Sequence, residues 1–468
     1  MIFINTSSVL AVEEVLSEQD DNILSMEECF ELALKNSPTI KNYKLEYGIS
    51  KDDVSFSRSA FFPTLSVGAS YSFYDEDSSK INYSSNMYNL EASVSQLLFD
   101  FGKTNADIDT QKFYQEVAYY NFDDIVLETI YGVKNHYFGV LAAKANVDVE
   151  RANVQINERN YQRIKAYYDE GIRSKIDLVN AEVNLSDSKV ELVSAIKTYQ
   201  VAIVELNNSM YLKHRSEYGI VDARDFNISG NLVPINSQIS NKRDIAKAPE
   251  EVENAFLTAN VDKIDIIDDY DFTPFEYNFE EAVSYARENR PDLKAYVAMR
   301  EALEKALLSV KREYYPELQA SAGYGYTEVY SMSSLNAKFN LVSSVNIMAV
   351  KSKVKAAEKR VQIAQNDIDK LEQDIYYEIQ DLFVNMRQLE KQIPLAGIKV
   401  KQTLENFQLA DGRYAVGLGD FIELQDAKVQ YNNAQQDYVN IVYNYNIARS
   451  DIEKSIGLEQ EVTLKLED

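Results

Sequence analysis

The sequence predicts a mixed α and β fold, a tandem repeat with long coiled-coil helices and two β-hairpins. Segment 25–41 aligns without a gap with segment 278–294, and segment 167–183 aligns with segment 413–429. Long stretches follow a helical heptad pattern, and four shorter stretches alternate apolar with polar residues. A repeat of this length implies a duplication and a pseudo-symmetric architecture.

The composition narrows the possible functions. The 468 residues suggest more than one structural unit. The net charge of -26 argues against nucleic-acid binding, because phosphate binding needs a basic face. One cysteine and two histidines exclude a disulfide framework and a Cys/His zinc site. No nucleophile–base set is visible in the sequence either. We expect no catalytic residues, no metal site and no cofactor.

The repeats set the predicted division of the chain. The N-terminal segment 1–24 contains Val9-Leu10-Ala11, which resembles a signal-peptidase site, but it lacks a positive region. It is either the remnant of a signal peptide or a flexible terminus. The remaining predicted parts are repeat 1 at 25–211, an acidic insertion at 212–277, repeat 2 at 278–458 and a tail at 459–468.

Each repeat begins with two helices, and a proline then ends the second helix. In repeat 1, Pro38 opens the second helix and Pro63 stops it. The period then changes to two, which predicts hairpins at about residues 64–99 and 317–347. Each hairpin places apolar residues on one face and polar residues on the other.

Strands of about ten residues with one apolar face suit a tilted crossing of a bilayer. The alternative is a half-buried sheet in a soluble protein. Four strands are too few to close a barrel, since about eight are needed to fill its interior. An open edge in lipid would leave backbone groups unsatisfied. If these strands lie in a membrane, several chains must therefore share one barrel.

Helices of unusual length follow the hairpins. They are predicted at residues 103–168 and 174–209 in repeat 1, and at 350–412 and 420–456 in repeat 2. Heptads and alternating steps of three and four residues indicate helix-on-helix packing. A helix of about 65 residues spans roughly 100 Å, which suits a protein that reaches across a compartment. Pro394 interrupts the second long helix and predicts a kink or bulge there.

Three motifs carry a resemblance to a known family. They are the turns within Tyr414–Ala427 and Tyr168–Ala181, and "LLFDFGK" at Leu97–Lys103, where a strand passes into a long helix. With the repeats, these motifs make the chain resemble the TolC-like outer membrane efflux proteins. The second hairpin departs from that pattern because it leaves through "NIMAVKSK".

The resemblance implies a homotrimer in which each chain gives four strands to a twelve-stranded barrel in the cell outer membrane. The strands would face outer membrane lipid, and the helices would form a periplasmic tunnel. An inner-membrane pump and a periplasmic adaptor protein would dock at the tip of the tunnel. The family is not enzymatic. Drug, metal and protein export share this component, so the resemblance leaves the cargo, the pump and the adaptor open.

The resemblance also implies roles for residues at the two helical turns. Glu423 and Asp426 match the positions of the acidic rings of the family, and their spacing of three places them on one helix face. The predicted gate consists of Glu423, Asp426, Asp177, Asn180 and Tyr414, with Tyr414 hydrogen-bonding to a neighbouring helix. The predicted adaptor-docking tip consists of Gly171, Ser174, Val416, Gly417, Leu418 and Asp420. We expect the glycines at the turns to adopt positive φ. The alternative is that the acids are ordinary helix-start charges and the glycines only turn residues.

Two other functions compete with this one. A soluble coiled-coil scaffold would explain the heptads and the acidity, but it has no need of four bilayer-length strands. A hydrolase that uses Glu27 and Glu28 is disfavoured, because adjacent residues on a helix do not face each other.

Overall fold

The computed structural model describes residues 24–78, 81–212, 275, 277–327 and 332–458. The N-terminal segment up to residue 23, the insertion from 213 to 274 and the tail from 459 lie outside the described residues. The elements of the first repeat are α1 (Met26–Asn36), α2 (Pro38–Arg58), a 3-10 turn (Ser59–Phe61), β1 (Thr64–Ser78), β2 (Ile81–Phe99), α3 (Lys103–Asp169) and α4 (Lys175–Ser209). Those of the second are α5 (Phe279–Asn289), α6 (Pro291–Arg312), β3 (Glu317–Thr327), β4 (Met332–Val342), α7 (Ile347–Ala415) and α8 (Phe421–Ser455).

Both repeats open on the same helix-capping chemistry. The backbone N–H of Glu28 donates to Ser25 Oγ at 3.2 Å, and the Ser25 N–H donates to Glu28 Oε2 at 2.7 Å. In repeat 2, Asn278 and Glu281 exchange equivalent bonds of 2.9 and 3.1 Å. This reciprocal arrangement satisfies two backbone donors that the first turn leaves unpaired. The acidic residues at the start of each repeat therefore hold a helix end.

The four strands form one antiparallel sheet in the order β1-β2-β3-β4. Leu65 lies opposite Val94, Val94 opposite Ala322, and Ala322 opposite Ala337. The apolar alternation of all four strands therefore falls on one face, with Leu65 68% exposed and Phe339 79% exposed. Serine, glycine and asparagine share the opposite face. The predicted mixed fold with two hairpins is confirmed.

The second hairpin is shorter than the sequence predicted. β4 ends at Val342, and Ile347 already belongs to α7, so the alternation predicted to continue to about residue 347 is wrong there. The physical reason is a helix cap. The side chain of Asn346 accepts from the backbone N–H of Ala349 at 3.1 Å, which fixes the start of α7.

The "LLFDFGK" motif forms a compact passage from β2 into α3. Asp100 is buried, and its carboxylate accepts from the backbone N–H groups of Gly102 at 2.9 Å and Thr104 at 2.6 Å. Phe101 and Gly102 both have positive φ, at 58° and 85°. Arg312 of repeat 2 donates to the Gly102 carbonyl oxygen. The motif therefore turns the chain sharply and holds the end of α6 against the turn.

Two compact units divide the chain, and each draws on both repeats. One, the sheet unit, contains Thr39–Val126 and Val283–Tyr377. The other, the helical unit, contains the described residues within 24–38, 127–282 and 378–458. The compact units therefore do not coincide with the two sequence repeats.

The helical unit is held by the seams that the sequence predicted. On α4, Ala181, Leu185, Tyr199 and Leu206 are buried. The corresponding seam of α8 buries Leu424, Ala427, Tyr431, Ala434, Tyr445, Ala448 and Ile452. α7 remains helical through Pro394, which is exposed. Among the described residues, no helix combines the length and apolarity needed to span a membrane.

Candidate gate and docking tip

Two helical turns of the helical unit bring the predicted site residues together. Gly171 lies between α3 and α4 with φ of 76°, and Gly417 lies between α7 and α8 with φ of 77°. In each turn the glycine N–H bonds three residues back, and the next N–H bonds five residues back, at 2.8 Å for Ile172 and 2.9 Å for Leu418. This is the Schellman motif, whose left-handed position favours glycine. The predicted positive φ is confirmed at both glycines.

The helices that leave these turns are capped by residues predicted to dock the adaptor. Ser174 accepts from the Asp177 backbone N–H at 3.3 Å, and Asp420 accepts from the Glu423 backbone N–H at 2.7 Å. The carboxylate of Asp177 accepts from the Ser174 N–H and hydroxyl, at 3.2 and 2.9 Å. Asp177, predicted for the gate, therefore also completes a capping box. The caps fix where α4 and α8 begin.

Large apolar side chains project from both turns. Val416 is 69% exposed and Leu418 is 76% exposed, as expected for residues that contact a partner. Ile172, Ile176 and Ile422 are exposed to a similar degree, and the sequence prediction missed them. Their signal was available, because Ile172 lies beside a turn glycine and Ile176 and Ile422 lie outside the seams of α4 and α8. The five residues are called the apolar tip below.

Tyr414 lies fully buried beneath the second turn. It packs in a core with Phe407, Leu424 and Tyr431. The guanidinium carbon of Arg173 lies 4.4 Å from the centre of the Tyr414 ring, a cation–π contact. Burial raises the pKa of the Tyr414 hydroxyl, and the Arg173 charge opposes that rise.

The predicted hydrogen bond of Tyr414 is not formed among the described residues. Its hydroxyl oxygen is buried without a hydrogen-bond partner there. The neighbouring turn instead reaches Tyr414 through Arg173, whose Nη2 donates to the Tyr414 backbone carbonyl at 3.4 Å. The ring lies fully buried in the core beneath the turn, so its hydroxyl is also shielded from solvent.

The two acidic residues of the predicted gate have different environments. The Oε1 atom of Glu423 accepts from Arg413 Nη1 at 2.7 Å, in an ion pair that is about half exposed. Asp426 is exposed and has no ion-pair partner among the described residues. Asn180, its counterpart in repeat 1, is also exposed. The carboxylate of Asp426 therefore carries the less compensated negative charge.

A buried ion pair lies behind Tyr414. Arg163 Nη2 donates to Asp411 Oδ1 at 2.6 Å, and both side chains are mostly shielded from solvent. The guanidinium of Arg163 also lies 5.7 Å from the Tyr414 ring centre. No sequence pattern pointed to this pair, because its members are 248 positions apart.

A buried lysine lies one helical turn beyond the predicted gate. Lys428 on α8 donates to the side-chain oxygen of Asn157 on α3. Burial lowers the pKa of Lys428 to about 8, and the charge of Asp187 opposes that shift. Further along the same two helices, Glu150 accepts from Asn432 at 2.9 Å and from Gln436. α3 and α8 therefore meet along a partly polar seam.

Metal binding finds no support in the described part of the chain. It contains no group of three or more histidine, cysteine, aspartate or glutamate side chains placed to hold a metal ion.

The fold and the turns together define an architectural class, with long helical hairpins and a four-stranded sheet that is apolar on one exposed face. The sequence model of the outer membrane efflux protein family matches residues 30–210 and 282–458. The chain therefore belongs to this family. Its location is the outer membrane, and members of the family are channels and not enzymes.

Individual relatives are distant in sequence. The chain is 22% identical over 159 residues to the cation efflux system protein CusC of Escherichia coli K12, covering 34% of this chain and 35% of CusC. It is 26% identical over 208 residues to the alkaline protease secretion protein AprF of Pseudomonas aeruginosa, covering 43% of this chain and 41% of AprF. These alignments thus span well under half of either relative.

The fold likeness extends much further. A solved structure of CusC superimposes with a TM-score of 0.71 at 13% sequence identity, covering 94% of this chain and 95% of that one. The resemblance stated from the sequence is confirmed, and a soluble scaffold is excluded by the family.

Proposed function

We propose that three copies of this chain form a passive channel through the outer membrane, which serves as the exit duct of an efflux or secretion system. The observation that carries the proposal is the four-stranded sheet, with one exposed apolar face and two edges that have no neighbouring strand in the described chain. Lipid would cover the apolar face, whereas the edges require strands from further copies. Three copies supply twelve strands, enough to enclose a channel.

The apolar tip is the proposed docking surface for a periplasmic adaptor, which in turn binds an inner-membrane pump. Its support is the exposure of Val416, Leu418 and three isoleucines at the two turns. Replacing Leu418 with Glu should abolish export while trimer mass stays unchanged. Leu418→Met should preserve export, because it keeps an apolar side chain of similar volume. Normal export by Leu418→Glu would remove the docking proposal.

The proposed gate is a pair of acidic rings at the same turns. A threefold axis would place three copies of Glu423 and of Asp426 around one pathway, and such rings attract cations. Crowded carboxylates also favour protonation or binding of divalent cations. Arg413 compensates part of the Glu423 charge. Asp426 is therefore the stronger contributor. In repeat 1, Asp177 corresponds to Glu423 and Asn180 to Asp426, and both contribute less.

Single-channel recording tests the gate. Asp426→Asn should reduce cation selectivity and divalent-cation block more than Glu423→Gln, and the double Ala variant should reduce both most. Glu205→Gln is a suitable control, since Glu205 is exposed near the opposite end of α4. If the double variant matches wild type in selectivity and block, these acids are ordinary helix-start charges.

The relatives differ in what they export, so they suggest export itself but no particular cargo. CusC is named for cation efflux and AprF for alkaline protease secretion. We propose export as the shared role. Measuring export by a strain that carries the chain with each candidate pump would separate the two cargo types.

A further inference from the structure

The two outer edges of the sheet point to one specific contact between copies of this chain. β1 and β4 each have a strand neighbour on one side only in the described chain, although they are 15 and 11 residues long. Long edge strands with exposed apolar residues pair readily with further strands. The inference rests on the proposed trimer, and the occupant of each edge is a second copy.

The repeat supplies the register of that contact. Pro63 and Pro316 are counterparts, so Thr64, which begins β1, corresponds to Glu317, which begins β3. Within the hairpins, Thr64 lies opposite Ser95 and Glu317 lies opposite Val342. Ser95 of β2 therefore corresponds to Val342 of β4. Each residue of β3 and β4 thus has a known counterpart in β1 and β2.

Within one chain, the two hairpins meet where β2 pairs with β3. This contact serves as the template for the contact between copies. In the template, Ala92 lies opposite Tyr324, and Ser93 lies opposite Gly323. The counterparts of Ala92 and Ser93 on β4 are Phe339 and Asn340. The counterparts of Tyr324 and Gly323 on β1 are Tyr71 and Ser70.

We propose that β4 pairs antiparallel with β1 of the neighbouring copy, with Phe339 opposite Tyr71, Asn340 opposite Ser70 and Lys338 opposite Ser72. The paired segments are residues 337–342 of one copy and residues 68–73 of the next. This contact closes the sheet around the channel without any new turn or bulge.

The faces of the strands agree with this register. Phe339 and Tyr71 both belong to the exposed apolar face, whereas Lys338 and Ser72 belong to the polar face. A slip of one residue would exchange the two faces of β4. Only registers shifted by an even number of residues remain as competitors.

The contact also extends an aromatic row. Tyr71 lies opposite Tyr88 within the chain, and their ring centres are 5.0 Å apart. Phe339 of the neighbouring copy would add a third ring on the other side of Tyr71. Aromatic pairs on directly opposite residues are among the contacts that stabilise and orient neighbouring strands.

Disulfide trapping tests the register. Cys29, the one native cysteine, is replaced by serine, and Ser70→Cys is combined with Asn340→Cys. Directly opposite residues have Cα atoms about 4.5–5.5 Å apart, within the range that a disulfide bridges, whereas diagonal neighbours lie about 7–8 Å apart. Oxidation in membranes should convert most of the protein into covalently linked dimers and trimers on non-reducing gels. The shifted pair Ser72→Cys with Asn340→Cys should link at least five-fold less, and single-cysteine variants should give no linked trimer.

A second pair, Ser72→Cys with Lys338→Cys, keeps the test decisive if the first variant folds poorly. Stronger linkage of the shifted pair would overturn the register. So would the absence of linkage in both matched pairs when light scattering still shows a trimer. A wild-type protein that is not trimeric would instead overturn the proposed function and, with it, this contact.

Discussion

The two tip turns have the same backbone but different side chains. Both use a left-handed glycine and a capped helix start. Their tyrosines occupy equivalent positions, yet Tyr168 is 37% exposed and Tyr414 is 0% exposed. The turn of repeat 2 is therefore built over a buried aromatic ring, and the turn of repeat 1 is not.

A second pair of equivalent residues explains how Tyr414 can be buried when Tyr168 is not. Arg173 in repeat 1 corresponds to Gly419 in repeat 2. A Cβ atom on Gly419 would lie 3.1 Å from the Tyr414 backbone nitrogen, so that position has little room for a side chain. Arg173 instead covers the Tyr414 ring from the other turn. Duplication preserved the turn backbone, and the side chains then took complementary roles.

The largest expected effect comes from removing the buried ring. Tyr414→Ala should lower the free energy of local opening at the tip by about 3–5 kcal/mol, because a large aromatic leaves a cavity. Tyr168→Ala, its matched control, should cost about 1 kcal/mol or less, since that ring is partly in solvent. Hydrogen exchange of the α7 and α8 amides measures both. Equal losses would show that the two turns are not differently built.

The next contrast lies about two turns into α4 and α8, where buried Lys428 of α8 corresponds to exposed Glu182 of α4. The pKa of Lys428 is lowered from its ordinary 10.5 to about 8. Between these values the unfolded chain binds the proton and the folded chain does not, so stability should rise with pH from about 8 to 10.5. Lys428→Met should flatten that rise in melting temperature, and Lys165→Met at an exposed site should not. An unchanged rise in Lys428→Met would show that the titration of Lys428 does not cause it.

Substitution of the turn glycines should lower local stability by similar amounts at the two tip turns. Gly171→Ala and Gly417→Ala should each cost about 1–2 kcal/mol of local stability, because a left-handed backbone disfavours a Cβ atom. No atom lies within 4 Å of the position that a Cβ atom would take on either glycine, so conformational strain alone sets the cost. Hydrogen exchange at each turn should show similar losses. A difference above about 1 kcal/mol would indicate that contacts, not backbone strain, decide the turn.

The smallest effect should come from the cation above Tyr414. Arg173→Ala should cost about 0.5–1 kcal/mol at the second turn, the usual size of a partly exposed cation–π contact. Arg173→Lys should recover part of it, since a charge remains near the ring. Hydrogen exchange of the α7 and α8 amides measures the change. An effect confined to the first turn would contradict the contact of Arg173 with the Tyr414 ring.

Much of the fold follows from local sequence patterns. The alternation in "LSVGASYSFY" predicts a strand with an apolar face, and the turn glycines predict positive φ, because both depend on neighbouring residues only. The alternation does not predict where β4 ends, since the Asn346 cap competes with a continuing strand. Local patterns also give no sign of the Arg163–Asp411 pair, because it joins residues far apart in the chain. For the proposed gate, the sequence predicted Glu423 but could not show that Arg413 compensates its charge.

The proposal that three copies of this chain build one membrane channel underlies the gate, the docking tip and the contact between copies. The oligomeric mass of the detergent-extracted protein, measured together with its conductance in a planar bilayer, tests that proposal directly. We expect a particle of three 53.4 kDa chains that conducts ions with cation preference. A monomer that forms no conducting pore would contradict it.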